Sequence, residues 1–372
     1  MKRKFSIKPL TLLFIICFCS VALLYFSSES SDGEVLSDNA QVKLLLNQSI
    51  KPFKPVTEDQ PVLLPRDFAL DPRFQQGWWH FFANVSDAKG TKYGIQWSFF
   101  RISSEHQELN GWQNSQLLLS HIVVSSQNQV WHEQRIARGG IGQAGVNSHP
   151  FKVWIDNWSW ESLGATPFPG VLDVETDSLK LSLQSTALGP FVLPGKRGYV
   201  SKNASNQLAS YNLSAPFIDV SGELSLDGGP SFHIDGEAWM SKEWGSGLLG
   251  DEQQGWDWFV FHLDPQNTLS IRQYRDQNAG HHVVATLSTN SGKTISIDEK
   301  DITIEPLQTS FLQGDKAIPL HWSIDIPKHN IHLKVSPNNT NLWLPFVMPY
   351  WEGPVTTQGS HVSEGFMQLA GY

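Results

Sequence analysis

Cysteine is almost absent from this chain. Of its 372 residues only Cys17 and Cys19 are cysteines, and both lie in one apolar N-terminal run. The rest of the protein therefore has no thiol and no disulfide, and its stability must come from a packed core. Basic residues are also in short supply. Lys and Arg number 27 against 36 Asp and Glu, for a formal charge of −9, and no basic run follows the N-terminal cluster. Phosphate binding needs clustered Lys and Arg, so nucleic acid is not expected as a partner. The chain has no Gly-x-Ser-x-Gly elbow, and Gly245-Ser246-Gly247 reads as a loop rather than as a nucleophile. Its 13 His residues show no His-Glu-x-x-His spacing, so neither a metal nor another cofactor is expected. Sustained helical periodicity is lacking after residue 60.

What is present starts with Lys2, Arg3, Lys4 and Lys8, followed by a 17-residue apolar run over 10–26. This is the pattern of an export signal. The run is at the lower limit for a membrane helix, roughly 17–25 residues, and long for a signal-peptide core of about 7–15. A signal peptide over 1–30 and an uncleaved inner-membrane anchor both stay open, and each sends the remaining chain to the periplasmic or extracellular side. Residues 31–60, polar and carrying Pro52 and Pro55, read as a flexible tether.

Aromatic residues are abundant, with 15 Trp, all after residue 77. From there on, short β-rich runs alternate with turn residues, for example 78–85, the turn Asp87-Ala88-Lys89-Gly90, and 93–102. Many closely spaced strands without helices predict an all-β protein built of antiparallel barrels. The hairpin holding Trp79-His80-Phe81-Phe82 and Phe99-Phe100-Arg101 has an echo in Trp258-Phe259-Val260-Phe261 and Gln273-Tyr274-Arg275. Two related barrels in tandem are expected, 61–215 and 216–372, with the boundary at Ala215-Pro216.

Several clusters together carry a resemblance: Leu64-Pro65-Arg66-Asp67, Gly77-Trp78-Trp79-His80, Tyr93-Gly94-Ile95-Gln96, Gly236-Glu237-Ala238-Trp239-Met240-Ser241-Lys242-Glu243-Trp244, Gly255-Trp256-Asp257-Trp258-Phe259, Tyr350-Trp351-Glu352-Gly353 and Ala370-Gly371-Tyr372. In order and spacing these are similar to the hydroxyneurosporene synthase (carotenoid 1,2-hydratase) and AttH-type family of lipocalin-like proteins, often described as predicted secreted hydrolases. The resemblance implies two calycin-type barrels and an apolar ligand. The chain departs from the family pattern where Gly77 replaces a Glu, Ser241-Lys242 replaces Asp-Arg, and Gln368 replaces a Glu.

Hydrating an isolated double bond requires a strong proton donor, a way to stabilise the cation formed, and a placed water; raised-pKa carboxylic acids and aromatic faces suit these tasks. Glu243, Asp257 and Glu352 each sit among aromatic neighbours and are the candidate acids, with His121 or Tyr350 assisting. Trp79, His121, Trp239, Trp244, Trp258, Tyr350 and Trp351 are the candidate ligand-binding residues. Alternation along a strand sends Trp256 and Trp258 to one face and Asp257 to the other, and sets Trp78 opposite Trp79.

Three readings follow. The first is binding or carriage of a lipid or other hydrophobic molecule outside the cytoplasm, linked to an envelope complex such as an ABC-type transporter, with the membrane as a second partner. The second is a hydratase, isomerase or hydrolase acting on an apolar substrate by carboxylic acid catalysis. The third is an interaction module with filled barrels. An open cavity holding a buried carboxylic acid favours the enzyme, an open cavity whose acids are all outside or salt-bridged favours the carrier, and no cavity favours the interaction module.

Overall fold

The computed structural model describes residues 53–372, apart from 106–110, 278–279 and 313–315. The expected export or anchor segment and most of the tether lie outside the described residues. The last part of that tether is docked rather than free: the backbone N–H of Lys54 donates to Arg73, that of Thr57 to the Tyr211 hydroxyl, and Val56 packs on the first core.

The protein is all-β, with short 3-10 turns and no α-helix among the described residues. The first sheet is built from β1 (Gln76–Asp87), β2 (Lys92–Ser103), β3 (Gln116–Ser125), β4 (Val130–Arg138), β5 (Ala144–Ser148) and β6 (Phe151–Ile155), continuing through β7 (Trp158–Ser162), β8 (Gly170–Glu175), β9 (Leu179–Ala187), β10 (Tyr199–Ser201), β11 (Ala209–Leu226) and β12 (Phe232–Gly245). The second holds β13 (Gln253–Asp264), β14 (Asn267–Asp276), β15 (His281–Thr289), β16 (Thr294–Ile297) and β17 (Thr303–Phe311), then β18 (Ala317–Ile326), β19 (Ile331–Pro337), β20 (Trp343–Leu344), β21 (Tyr350–Gly359) and β22 (Glu364–Ala370).

The two sheets are wound alike. The first runs β4-β3-β2-β1-β12-β11-β9 and the second β16-β15-β14-β13-β22-β21-β19, so in each the opening hairpin strand pairs with the last strand of its own sheet. The sequence echo between the two aromatic hairpins is thus an echo between β1-β2 and β13-β14, equivalent places in two curled, nearly closed barrels. The change of sheet falls between Gly245 and Gln253, not at Ala215-Pro216, which lies inside β11. Proline has no N–H for the ladder. The β11–β12 register slips between Ala215 and Ile218, and strand patterning restarts there within one strand.

Alternation fills both interiors. Trp79, Phe81, Trp97, Phe99, Trp158 and Trp160 pack inside the first barrel, and Phe259, Phe261, Trp322 and Trp351 inside the second. The opposite faces of β1, β2 and β13 do not meet water either. Phe82 stacks on Phe366 at 4.9 Å, and Trp78 meets Trp256 at 5.5 Å. The barrels therefore pack back to back through a second apolar layer, in which each large ring removed from water contributes about 1.5–3 kcal/mol. Close approach is needed for this, and Gly94 provides it: a Cβ there would lie 2.7 Å from Pro354 Cγ of the opposite barrel.

Candidate functional site

The layer between the barrels is not wholly apolar. Even-numbered positions of β1 and β2 present His80, Gln96 and Ser98 to it, β3 adds His121, and β21 and β22 bring Tyr350, Glu352 and Gln368 from the other side. All of these are buried, Glu352 to 1% exposure. Polar groups out of water need partners, and most form one network. Val347 N–H donates to Gln134 Oε1 at 3.2 Å, which turns the amide NH2 of Gln134 toward His121 Nε2 at 2.8 Å. A neutral His121 accepting there carries its proton on Nδ1 and donates it to the Tyr350 oxygen, 2.7 Å away. Tyr350 bonds onward to Ser98, whose hydroxyl lies 2.9 Å from His80 Nδ1.

Glu352 stands at the end of this chain, its Oε2 lying 4.0 Å from His80 Nδ1. The two are not an ion pair. Burial lowers the His80 pKa to about 3, with the charge of Arg272 adding to the effect. Burial likewise pushes Glu352 up to about 8, against the hydrogen bond from Gln368. Both are neutral at pH 7. Gln368 Nε2 donates to Glu352 Oε2, and Oε1 has no hydrogen-bond partner. The acid is a neutral carboxyl group with one oxygen uncommitted.

Beside this network opens a small apolar pocket, with a cavity of about 40 Å³, at the mouth between the barrels. Trp78 and Phe100 line it from the first barrel, Trp256, Tyr350 and Gln368 from the second, and Leu248 from the segment joining them. Trp256 Nε1 donates to Gln368 Oε1 at 2.7 Å, so the amide that bonds the acid is oriented by a ring of the pocket wall.

The other two candidate acids behave differently. Glu243 lies in the same layer but is ion-paired to Lys202 at 2.6 Å and to Arg272. Burial alone would raise its pKa, yet the two cations outweigh burial and hold it down to about 2. It is a fixed anion, not a proton donor. Asp257 points into the second barrel, bonded by Gln273 at 3.0 Å and the Tyr372 hydroxyl at 2.8 Å, with Arg275 at 3.3 Å. Burial raises its pKa against these partners. The three acids therefore do not converge: Glu243 is ion-paired, Asp257 lies inside the second barrel, and Glu352 is a neutral acid of the inter-barrel layer set behind Gln368, which lines the pocket.

Period-two geometry also divides the candidate rings. His121, Trp239, Trp258 and Tyr350 lie in the inter-barrel layer. Trp79 and Trp244 face the first barrel's interior, where the Lys242 ammonium sits over both rings at 4.5 and 4.8 Å, and Trp351 faces the second, donating to the Thr340 carbonyl. The residues that complete the site, Trp78, His80, Ser98, Phe100, Trp256 and Gln368, share faces with Trp258 or Tyr350 across the layer. Alternation from Tyr350 and Glu352 on β21 is the signal that reaches them. Among the described residues no group of three or more His, Cys, Asp or Glu is placed to hold a metal ion.

Two nearly closed antiparallel barrels, each filled with rings and joined across a buried layer that holds polar groups, define a tandem lipocalin-like protein. The sequence profile described as AttH-like matches residues 55–372, and the chain belongs to that family. A solved AttH-like protein of Nitrosomonas europaea is 25% identical, with a TM-score of 0.76 over 86% of this chain and 100% of its own. Kievitone hydratase of Nectria haematococca shares the fold at 14% identity, with a TM-score of 0.64 over 86% of this chain and 98% of its own. Curated proteins give no match.

Proposed function

We propose that this protein is a hydratase-type enzyme that adds water across a double bond of an apolar small molecule held in the inter-barrel pocket. The observation that carries the reading is Glu352, a carboxylic acid kept protonated by burial, with no cation paired to it and a free oxygen, behind the aromatic pocket wall. Kievitone hydratase lends support through its fold.

In the reaction the O–H bond of Glu352 breaks and its proton forms a C–H bond with one alkene carbon, using the π electron pair. The positive charge left on the neighbouring carbon is stabilised by the faces of Trp78 and Trp256. Water adds its lone pair to that carbon, and the proton it sheds returns to the Glu352 carboxylate, which restores the acid for the next turnover. The low-dielectric layer keeps the carboxylic acid protonated at neutral pH, since its charged form is disfavoured there, so that the proton is in place to be transferred.

The test is incubation of the purified protein with a panel of unsaturated isoprenoid and phenolic substrates in heavy-oxygen water, followed by mass spectrometry. A product carrying one labelled oxygen with the wild type and none with Glu352→Gln is expected. Equal product from both proteins removes the acid role.

A carrier reading is favoured by one observation, that Gln368 stands between the pocket and the acid. It entails an apolar ligand extracted unchanged, bound equally by Glu352→Gln. With it go the proposals of an exported location, an inner-membrane tether through residues 10–26 and an ABC-type transport partner. Fractionation of cells followed by crosslinking tests them.

A further inference from the structure

The layer between the barrels has a second opening. A small polar pocket, with a cavity of about 40 Å³, enough for a carboxylate head alone, is lined by Asn212, Ser214, Ser241, Trp258, Ser270 and Arg272, among others. It adjoins the reactive pair: Trp258 forms part of its wall and lies 5.4 Å from the His80 ring, while Trp78, which lines the apolar pocket, lies 5.0 Å from His80 on its own side. The two pockets thus border one ring cluster around His80.

Arg272 is the charged group of this second pocket. Its guanidinium lies 4.5 Å from the centre of the Trp258 ring and 6.0 Å from that of Trp78. Its hydrogen bonds to Glu243 and to the Tyr274 hydroxyl both leave from Nη1. Nε is buried and has no partner. The Nε and Nη2 edge is therefore unclaimed among the described residues, and that edge is the fork that matches the two oxygens of a carboxylate.

Charge counting points the same way. Lys202 and Arg272 bring two cations and Glu243 one anion, while His80 is neutral and burial holds the Tyr274 hydroxyl above its usual range. Both cations share the single anion Glu243, and burial lowers the Lys202 pKa against that pairing, so an added carboxylate would meet two cationic groups and one anion. Hydroxyls are at hand to complete a ligand shell. Ser214 and Ser241 share a hydrogen bond of 2.8 Å, and Trp258 Nε1 donates to Ser270 Oγ at 3.1 Å.

We infer that this polar pocket binds the carboxylate head of an amphipathic substrate whose unsaturated, apolar part lies along Trp78 and Trp256. The inference rests on the crevice being the reaction site and names its substrate class. Binding of undecylenate and of the uncharged undecylenyl alcohol, followed by calorimetry and by quenching of tryptophan fluorescence, tests it.

The wild type should bind the acid at least about tenfold more tightly than the alcohol, the range of one charge-assisted bidentate contact. Arg272→Gln should abolish the preference. Because that variant also unpairs Glu243, Ser270→Asp serves as a second probe: it places a carboxylate in the pocket, keeps the Trp258 partner, and should also abolish the preference with an unchanged circular dichroism spectrum. Glu352→Gln should keep it. Equal binding of both ligands by the wild type, no binding of either, or a preference that survives Ser270→Asp overturns the inference. An intact preference without turnover defeats the hydratase reading alone, whereas turnover without preference defeats the head-group site alone.

Discussion

Glu243 and Glu352 lie in the same layer, are both buried, and both belong to strands that face the opposite barrel, yet one is held at a pKa of about 2 and the other at about 8. Burial pushes both in the same direction. What separates them is company: Lys202 and Arg272 bracket Glu243, whereas Glu352 meets an amide, a neutral imidazole and a backbone that offer no positive charge. Desolvation alone makes an acid, and desolvation with two cations makes an anchor. A buried carboxyl group is therefore not by itself a catalytic signal; the charge count around it decides.

The largest expected effect comes from removing the proton of the acid. Glu352→Gln should abolish turnover while leaving the fold intact. It should also change the pH dependence of stability. Raised from an ordinary value of 4.5 to about 8, Glu352 contributes stability below pH 4.5 that is lost as pH rises through about 8. Relative to wild type, the Gln variant should therefore gain stability across that window in denaturant titrations, and parallel curves would show that Glu352 is not protonated.

Glu243→Gln should act in the opposite way, through stability rather than chemistry. Leaving Lys202 and Arg272 without their anion should cost about 3–5 kcal/mol in urea unfolding. A loss below about 1 kcal/mol, the range of exposed pairs, would mean that the cluster is solvated.

Gly94→Val sets a side chain against Pro354 and should part the barrels. A destabilisation of about 1–3 kcal/mol, measured by thermal unfolding, is expected from overpacking. Turnover should fall together with it.

The smallest effect is a shift in pH. Gln368→Glu places a second carboxyl at hydrogen-bonding distance from Glu352. Two such groups cannot both ionise readily, so one proton is held to higher pH. The alkaline fall in activity, expected near pH 8 in the wild type, should move upward. A profile that stays in place would show that residue 368 does not reach the acid.

The strand pattern was legible because turn residues and alternation are local properties. Hairpin β1-β2 turns at Gly90 with φ 80°, as its Asp87-Ala88-Lys89-Gly90 sequence requires. Strand β21 was not legible, because Gly353 and Pro354 interrupt it and proline argues against an interior strand. It is the strand that carries Glu352. The pairing of β1 with β12, which settles the sheet boundary, joins residues far apart in sequence and leaves no local mark.

The site was half visible. Alternation set Trp256 and Trp258 apart from Asp257, and the structure keeps them apart. Of the Trp78-Trp79 pair, Trp79 faces the lumen of the first barrel, which rings fill, and Trp78 lines the pocket outside it. No sequence neighbour announces the cations at Glu243, since Lys202 arrives from the turn before β11 and Arg272 from β14.

Strand β1 has no solvent face along its central stretch: Trp79, Phe81 and Ala83 close the first barrel, while Trp78, His80 and Phe82 close the layer beside the second. Two interleaved texts are thus written on one backbone, odd positions for the barrel interior and even positions for the layer between the barrels. Libraries confined to residues 78, 80, 98, 100, 256 and 258 would therefore reshape the crevice while leaving both barrel interiors as they are.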